Sequence, residues 1–325
     1  MNRRDTILAL AALGIPLRLA AQPATGVPRV GVLMFSTAEA SGHIVRAFIQ
    51  GMTELGYQDG KNVRYEIRHG DGGEEKLRQN AHDLVAAKVD LIWAPATAVT
   101  AAAQKETMSL PIVFALVSDP IASGFVRSLP QPGTNATGIT NMTAETGAKR
   151  IQLLAEIFPK VRRIGVLQNP ADSASGLQLS FAQQGARTLG KELMVVEARA
   201  PAEFAAAFAK LAAWRADALV ILESSLFFLH RKTLLSSAAK HRWPTIASTK
   251  DYAEAGGVIA YGADYSDNCR RSAAYVDKIL KGAKPADLPV QQPIKFEFVI
   301  NLKAAKAMGL TIPKAMLLRA DRVIE

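Results

Sequence analysis

Short, continuous apolar segments alternate with stretches of helical periodicity along almost the whole chain, and this alternation constrains the fold more than any other feature. The first segment, Val30 to Phe35 (VGVLMF), has no polar side chain, as expected for a strand buried on both faces of a sheet. The next stretch places Ile44, Phe48 and Met52 on one helix face and ends at Gly56. Such an order predicts a parallel sheet covered by helices.

The same order of strand and helix recurs through both halves of the chain. Apolar or alternating segments predict strands at 63–67, 89–93, 112–117, 163–167, 193–196, 218–222, 245–247, 258–261 and 296–300. These are too many units for one small sheet, so we predict an α/β protein with two doubly wound parallel-sheet lobes. The residue pattern alone favours the loop Pro130 to Asn135 (PQPGTN) as the first crossing between the lobes.

The N-terminus has the layout of a secretory signal peptide at residues 1–21. A short basic start precedes the apolar run Ile7 to Ile15, which is too short to span a bilayer, and small residues follow at Ala20-Ala21. The pair Arg3-Arg4 also resembles a twin-arginine signal, and a buried amphipathic helix is the alternative. Cys269 is the only cysteine, so no intrachain disulfide can form. We therefore expect an exported protein of a bacterial periplasm.

The chain is basic, with a formal net charge of +10, which raises the question of nucleic-acid binding. The basic residues occur in short, scattered groups such as 160–163, 231–232 and 270–271. No basic helix and no stripe of interleaved aromatic and basic residues is present in the sequence. A solvated basic surface is the better interpretation, and we predict no nucleic-acid partner.

The candidate ligand-binding residues follow the predicted strands, because ligands of open parallel sheets bind beyond the carboxyl ends of the strands. These positions carry small hydroxyl, amide and acidic side chains. The candidates are Phe35, Ser36, Thr37, Ala96, Thr97, Ser118, Asp119, Asn169, Glu223, Ser224, Thr249 and Asp264.

Their chemistry suits an amino acid or a related carboxylate. Thr97 is expected to cap the helix after the third strand, where its hydroxyl and free backbone N–H groups can hold a carboxylate. Asp119, Glu223 or Asp264 can pair with an ammonium group. The alternative is that each residue simply caps a helix or closes a turn.

Signatures of catalysis are missing from the sequence. It contains no Gly-x-Ser-x-Gly elbow, no Walker loop, and no Gly-x-Gly-x-x-Gly after the first strand. The five histidines lack metal-ligand spacing, so we predict no metal and no cofactor. A hydrolase using Ser36 or Asp119 is the enzymatic alternative, but no base is placed beside either residue. We therefore predict that the protein is not an enzyme.

Several segments, taken in order, resemble the bacterial ABC transporter substrate-binding proteins that include tryptophan- and tyrosine-uptake binding proteins. The resemblance runs from about Arg29 to Glu325. The segments that carry it are Gly51–Tyr57 (GMTELGY), Gly60–Val63, Pro111–Phe114, Ser118–Pro120 (SDP), Ser128–Ile139 (SLPQPGTNATGI), Ala255–Gly257, Tyr261–Gly262, Ile279–Val290 (ILKGAKPADLPV), Asn301–Pro313 (NLKAAKAMGLTIP) and Arg319–Asp321.

The resemblance implies the type-1 periplasmic binding fold, with two lobes joined by three crossings. It places the first lobe at 28–139 plus 265–290 and the second at 140–264 plus 291–325. It also implies a monomer that closes on a small-molecule ligand in the cleft and delivers it to an ABC permease in the inner membrane. A ligand-binding sensor component for a membrane signalling protein is the alternative function.

Overall fold

The structure, a computed structural model, describes residues 26–325 and contains two α/β lobes. The first lobe is built on a five-stranded parallel sheet of order β2-β1-β3-β4-β5. Its elements are β1 (Arg29–Met34), α1 (Ala38–Glu54), β2 (Arg64–His69), α2 (Glu74–Ala86), β3 (Leu91–Trp93), α3 (Thr97–Glu106), β4 (Ile112–Val117) and β5 (Ala136–Thr140).

The second lobe is built on a seven-stranded sheet of order β12-β11-β10-β9-β8-β6-β7. Its elements are α4 (Gly147–Ile157), β6 (Arg163–Gln168), α5 (Ser175–Thr188), β7 (Glu192–Glu197), α6 (Phe204–Ala213), β8 (Ala218–Ile221), α7 (Ser225–Leu229), α8 (Arg231–Lys240), β9 (Thr245–Ala247), α9 (Lys250–Glu254), β10 (Ile259–Ala263), β11 (Phe296–Asn301), α11 (Leu302–Ala307), α12 (Lys314–Arg319) and β12 (Arg322–Ile324). Between β10 and β11, α10 (Tyr265–Leu280) returns to the first lobe and packs on α1.

The core of the first lobe follows directly from the periodicity of its segments. Strand β1 is buried over Val30 to Met34, and the helix that follows buries Phe48 and Met52 against it. The rings of Phe48 and Trp93 stack with centroids 4.3 Å apart. Gly51 lets α1 and α10 approach closely, because a Cβ atom there would lie 2.1 Å from the carbonyl oxygen of Arg270. Helix α10 is thereby held to the first lobe although it follows a strand of the second.

Three segments cross between the lobes, after β5, between β10 and α10, and before β11. The prediction that the loop 130–135 is a crossing is wrong, because β5 follows this loop and pairs with β4 in the first sheet. The isolated bridge between Ile139 and Gln291 brings the first and third crossings side by side. The Asp264 N–H donates to the carbonyl of Lys295 (2.9 Å), which joins the second and third crossings.

The predicted α/β class with two doubly wound lobes is confirmed, with one departure from parallel pairing. Strand β11 pairs with β10 in the antiparallel sense, with Ile259 opposite Ile300. The chain leaves the second lobe at the carboxyl end of β10 and re-enters at the same end after α10, so β11 has to run in the opposite direction. The residue pattern alone gave no sign of the antiparallel pairing, although the family resemblance places 265–290 in the first lobe.

None of the helices in the described part of the chain is both long and apolar enough to cross a membrane. The predicted signal peptide at 1–21 lies outside the described residues.

Candidate ligand-binding site

A cavity of about 50 Å³ lies between the lobes at the carboxyl ends of their strands, and we call it the inner cavity. Most of its wall is apolar, and Glu223 is the only carboxylate or cationic side chain that lines it. The lining residues from the first lobe and the crossings are Met34, Phe35, Ser36, Ser41, Ile44, Pro95, Ala96, Val99, Leu116 and Tyr265, and those from the second lobe are Glu223, Ser225 and Phe228.

The Glu223 carboxyl group is held by hydroxyl groups rather than by a cation in direct contact. Ser248 donates a hydrogen bond to its Oε2 atom, and Tyr265 is a second hydroxyl neighbour. Burial raises the pKa of Glu223 to about 7, although these hydrogen bonds act in the opposite direction. Near neutral pH the cavity therefore contains an acid that can be neutral or charged, depending on what it faces.

Tyr265 connects this acid to the crossings between the lobes. It is the first residue of α10, and its hydroxyl accepts a hydrogen bond from Asn141 Nδ2 (3.2 Å). Asn141 belongs to the first crossing and also donates to the carbonyl of Leu116 in β4 (3.1 Å). Ser248 lies 3.5 Å from the same Tyr265 hydroxyl. This hydrogen-bond network from Asn141 to Glu223 therefore links the inner cavity to the first crossing and to the start of α10.

Arg150 is a fully buried cation on the second-lobe side of this network. Its Nη1 donates to Thr146 Oγ1 (2.8 Å) and its Nη2 donates to the carbonyl of Thr143 (2.7 Å). Burial lowers the pKa of Arg150 to about 10, while its electrostatic interactions with Tyr265 and Glu223 act in the opposite direction. Arg150 therefore stays charged at neutral pH and favours ionisation of Glu223 from a distance.

A second cavity, of about 480 Å³, adjoins the first and we call it the outer cavity. Phe35 and Ser225 line both cavities and so mark the boundary between them. The outer cavity carries charges of both signs, including Lys105 from the first lobe and Arg199 from the second. Asp172 also lines it, and burial raises the pKa of this carboxyl to about 6.

The structure brings together some of the sequence-predicted residues and separates the others. Phe35, Ser36, Ala96 and Glu223 line the inner cavity, whereas Asn169 and Ser224 line the outer one. Asn169 Nδ2 donates to Ser224 Oγ (3.1 Å), so these two residues also hold each other.

Thr97 and Ser118 lie together near a third cavity, which Thr97 lines. The expectation that Thr97 caps α3 is wrong, because the capping position is Ala96. The Thr97 hydroxyl instead accepts the Ser118 N–H (3.3 Å). The Ser118 hydroxyl is buried without a hydrogen-bond partner.

The other candidates make local structural contacts and do not line the inner cavity. Thr37 caps α1 by accepting the Ala40 N–H, and Asp119 accepts two backbone N–H groups of its own turn. Thr249 donates to Asp251 Oδ2 (2.8 Å). Asp264 caps α10 and pairs with Lys295 (2.7 Å). Of the three acids proposed for an ammonium group, only Glu223 faces the cavity.

Sequence reasoning missed most of the apolar wall of the inner cavity. Ile44, Val99 and Phe228 lie at helical positions whose spacing indicates core packing, and Tyr265 begins a helix. No local signal separates an apolar helix residue that packs within its lobe from one that faces the other lobe. Within residues 26–325, no cluster of histidine, cysteine or acidic side chains has the geometry of a metal site.

The two lobes touch around the rim of these cavities. The Ser173 and Ser123 hydroxyls are 2.9 Å apart, and Leu229 of the second lobe lies over Gly72 of the first. A Cβ atom on Gly72 would lie 2.4 Å from Leu229 Cδ2, so the absence of a side chain makes room for this contact. These contacts show that the cleft is closed in this structure.

Residues 29–324 match the family model described as "ABC transporter substrate binding protein". The chain belongs to this family. Its members bind small-molecule substrates and are not enzymes, so the predicted class and the predicted absence of catalysis are both confirmed. The sequence resemblance stated above is thereby confirmed over nearly all of the described chain.

Three relatives resemble this chain to a similar degree. A tyrosine-binding protein of Clostridioides difficile is 26% identical over 265 residues, which cover 82% of this chain and 76% of the relative. A crystal structure of an ABC domain in complex with L-Trp from Streptococcus pneumoniae matches with a TM-score of 0.86 and 27% identity, over 92% of this chain and all of that chain. A conserved domain protein from Vibrio cholerae matches with the same TM-score and coverage at 28% identity.

Proposed function

We propose that this chain captures an amine-bearing small molecule, an aromatic amino acid or a close analogue, and delivers it to an ABC permease in the inner membrane. The observation that carries the proposal is the inner cavity, in which one carboxyl group faces apolar and aromatic walls contributed by both lobes. The tyrosine-binding relative and the relative in complex with L-Trp support the same class of ligand.

Glu223 is proposed to bind the ligand's ammonium group. The cavity offers no other charged side chain to such a group, and charge-assisted hydrogen bonds are about twice as strong as neutral ones. The apolar wall, including Phe228 and Ile44, then packs on the ligand's body. An inner cavity of about 50 Å³ is smaller than the roughly 150 Å³ that a benzene-sized guest occupies in an apolar protein cavity. We therefore expect a bound ring to widen the cavity or to extend past Phe35 into the outer cavity.

The proposed cycle is hinge closure at the three crossings. The lobes are proposed to be 28–139 plus 265–290 and 140–264 plus 291–325, and a ligand that contacts both favours the closed form. Export by the segment 1–21 to the periplasm and action as a monomer complete the proposal, in keeping with the family's role in transport.

Thermal-shift and calorimetric titrations of the purified protein test the ligand class. The panel contains the amino acids, the amines tryptamine and tyramine, and the deaminated acids indole-3-propionate and 3-(4-hydroxyphenyl)propionate. We expect at least one aromatic amino acid to stabilise the protein by about 3 kcal/mol at a hundred times its Kd, and its deaminated analogue to bind much more weakly.

The variant Glu223→Gln tests the role of the carboxylate, since it keeps the shape of the side chain and removes its charge. It should weaken binding of the amino acid and leave the deaminated analogue unchanged. Equal binding of the amino acid and its deaminated analogue by the parent protein, or no response to any compound, would contradict the proposal.

A further inference from the structure

One close contact between a histidine and a carboxylate spans the cleft away from the crossings. The His43 Nε2 atom, on α1 of the first lobe, lies 2.8 Å from Asp251 Oδ1, on α9 of the second lobe. Among the salt bridges of residues 26–325, the others lie within one lobe or involve Asp264 at the second crossing. The His43–Asp251 pair is thus formed only when the lobes are together.

The second-lobe half of this pair is held by a contact within its own lobe. Asp251 Oδ2 accepts the Thr249 hydroxyl (2.8 Å), which leaves Oδ1 to face the first lobe. The Asp251 side chain is only 7% exposed and that of His43 is 33% exposed. Burial alone would raise the pKa of Asp251, but its contacts with His43 and Thr249 and the charge of Arg231 outweigh burial and lower it. The carboxylate is therefore ionised and aimed at His43.

The pair also lies directly behind the wall of the inner cavity. Phe228 lines the cavity, and its ring centroid is 6.4 Å from that of His43 and 6.3 Å from that of Tyr252. The Arg231 guanidinium lies 4.4 Å from the centre of the same ring. When His43 reaches Asp251, it therefore also packs against the residue that the ligand is proposed to touch.

We propose that His43 and Asp251 form a latch that holds the two lobes closed and so sets the lifetime of the ligand-bound form without contacting the ligand. The inference about lifetime rests on the proposed function, whereas the inference about closure does not. Breaking the latch is expected to shift the equilibrium towards the open form by about tenfold, as for loss of one close ion-pair contact whose carboxylate is buried.

Disulfide formation across the cleft measures closure without any ligand. The Ser123 and Ser173 hydroxyls are 2.9 Å apart, so Ser123→Cys with Ser173→Cys should cross-link only in closed molecules. Cys269 does not interfere because it is buried. In this background, His43→Ala and Asp251→Asn should each slow cross-linking about tenfold. Combining the two changes should slow it little further, because either change alone breaks the same pair.

The chain offers a matched control in the His82–Glu106 pair, which lies entirely within the first lobe (3.2 Å). His82→Ala should leave the rate of cross-linking unchanged. Parent rates in both His43→Ala and Asp251→Asn, or a double change whose effect is the product of the two single effects, would overturn the latch. Should Asp251→Asn lower the folded fraction, His43→Ala decides, because its partly exposed side chain can be removed without opening the core.

Stopped-flow dissociation of L-tryptophan or L-tyrosine then tests the lifetime. His43→Ala should speed dissociation about tenfold while the association rate changes little, a split that a general loss of stability would not produce. If neither amino acid binds but cross-linking still depends on His43, the proposed ligand class fails and the latch stands. If either binds and dissociates from His43→Ala at the parent rate, the latch has no part in retention and that half of the proposal is overturned.

Discussion

Ligand binding should become tighter as pH rises from 6 to 8, because the acid proposed to hold the ligand is largely neutral at the lower value. Burial places the pKa of Glu223 at about 7. About one tenth of the molecules therefore carry an ionised Glu223 at pH 6, and about nine tenths do at pH 8. A ligand ammonium group stays protonated throughout this range. If only the ionised form pairs with it, the affinity should rise about tenfold.

Calorimetry in buffers of different ionisation enthalpy tests this reasoning with L-tryptophan or L-tyrosine. At pH 6 binding should release nearly one proton, and at pH 8 almost none. Glu223→Gln should bind more weakly and show no dependence on pH. An affinity that stays flat or falls between pH 6 and 8 in the parent protein would refute the ammonium pairing, since a fall would mean that the neutral carboxyl donates to the ligand.

The same shift in pKa has a consequence for the ligand-free protein. The pKa of the Glu223 carboxyl is 4.5 in the unfolded chain and about 7 in the folded chain. Between these values the folded state binds more protons, so its stability falls as pH rises, by up to about 3 kcal/mol in total. Glu223→Gln should therefore be more stable than the parent at pH 8 and nearly equal to it at pH 4. Urea unfolding at the two pH values measures the difference, and a less stable variant at pH 8 would contradict the stated effect of burial.

Two further predictions concern the fold around the site. Gly51→Ala should destabilise the protein by about 2 kcal/mol or more, because the added Cβ atom would lie 2.1 Å from the Arg270 carbonyl oxygen. Gly176→Ala is the control and should not destabilise it, because no atom lies within 4 Å of the added Cβ. The midpoints of urea unfolding compare the two variants. Asp264→Ala should cost about 1 kcal/mol at pH 7 through loss of the α10 cap. Burial acts to raise the pKa of Asp264, but the Lys295 hydrogen bond and other contacts outweigh burial and lower this pKa. The contribution should therefore be fully present at neutral pH and decline as pH falls below about 3.8, and an effect at pH 3 that is no smaller than at pH 7 would contradict it.

The fold class could be predicted from the sequence because its determinants are local. A strand buried on both faces must be apolar at every position, as Val30 to Phe35 is, and a helix packed on a sheet must repeat its apolar residues every three or four positions. The strand ends were likewise visible, because they follow the apolar segments directly. The antiparallel entry of β11 was not, since its direction depends on where α10 packs, not on its own residues.

The site itself was decided by the tertiary structure. Asp119, Glu223 and Asp264 are equivalent in sequence, each an acid after a strand, yet the first closes a turn, the last pairs with Lys295, and only Glu223 faces the cavity. Phe228 has the helical spacing of a core residue and yet lines the cavity. The periodicity of apolar residues indicates which side of a helix or strand is covered, but it does not indicate which part of the molecule covers that side. Which lobe, crossing or ligand covers it depends on contacts between segments far apart in the chain, and those arise only when the two lobes meet.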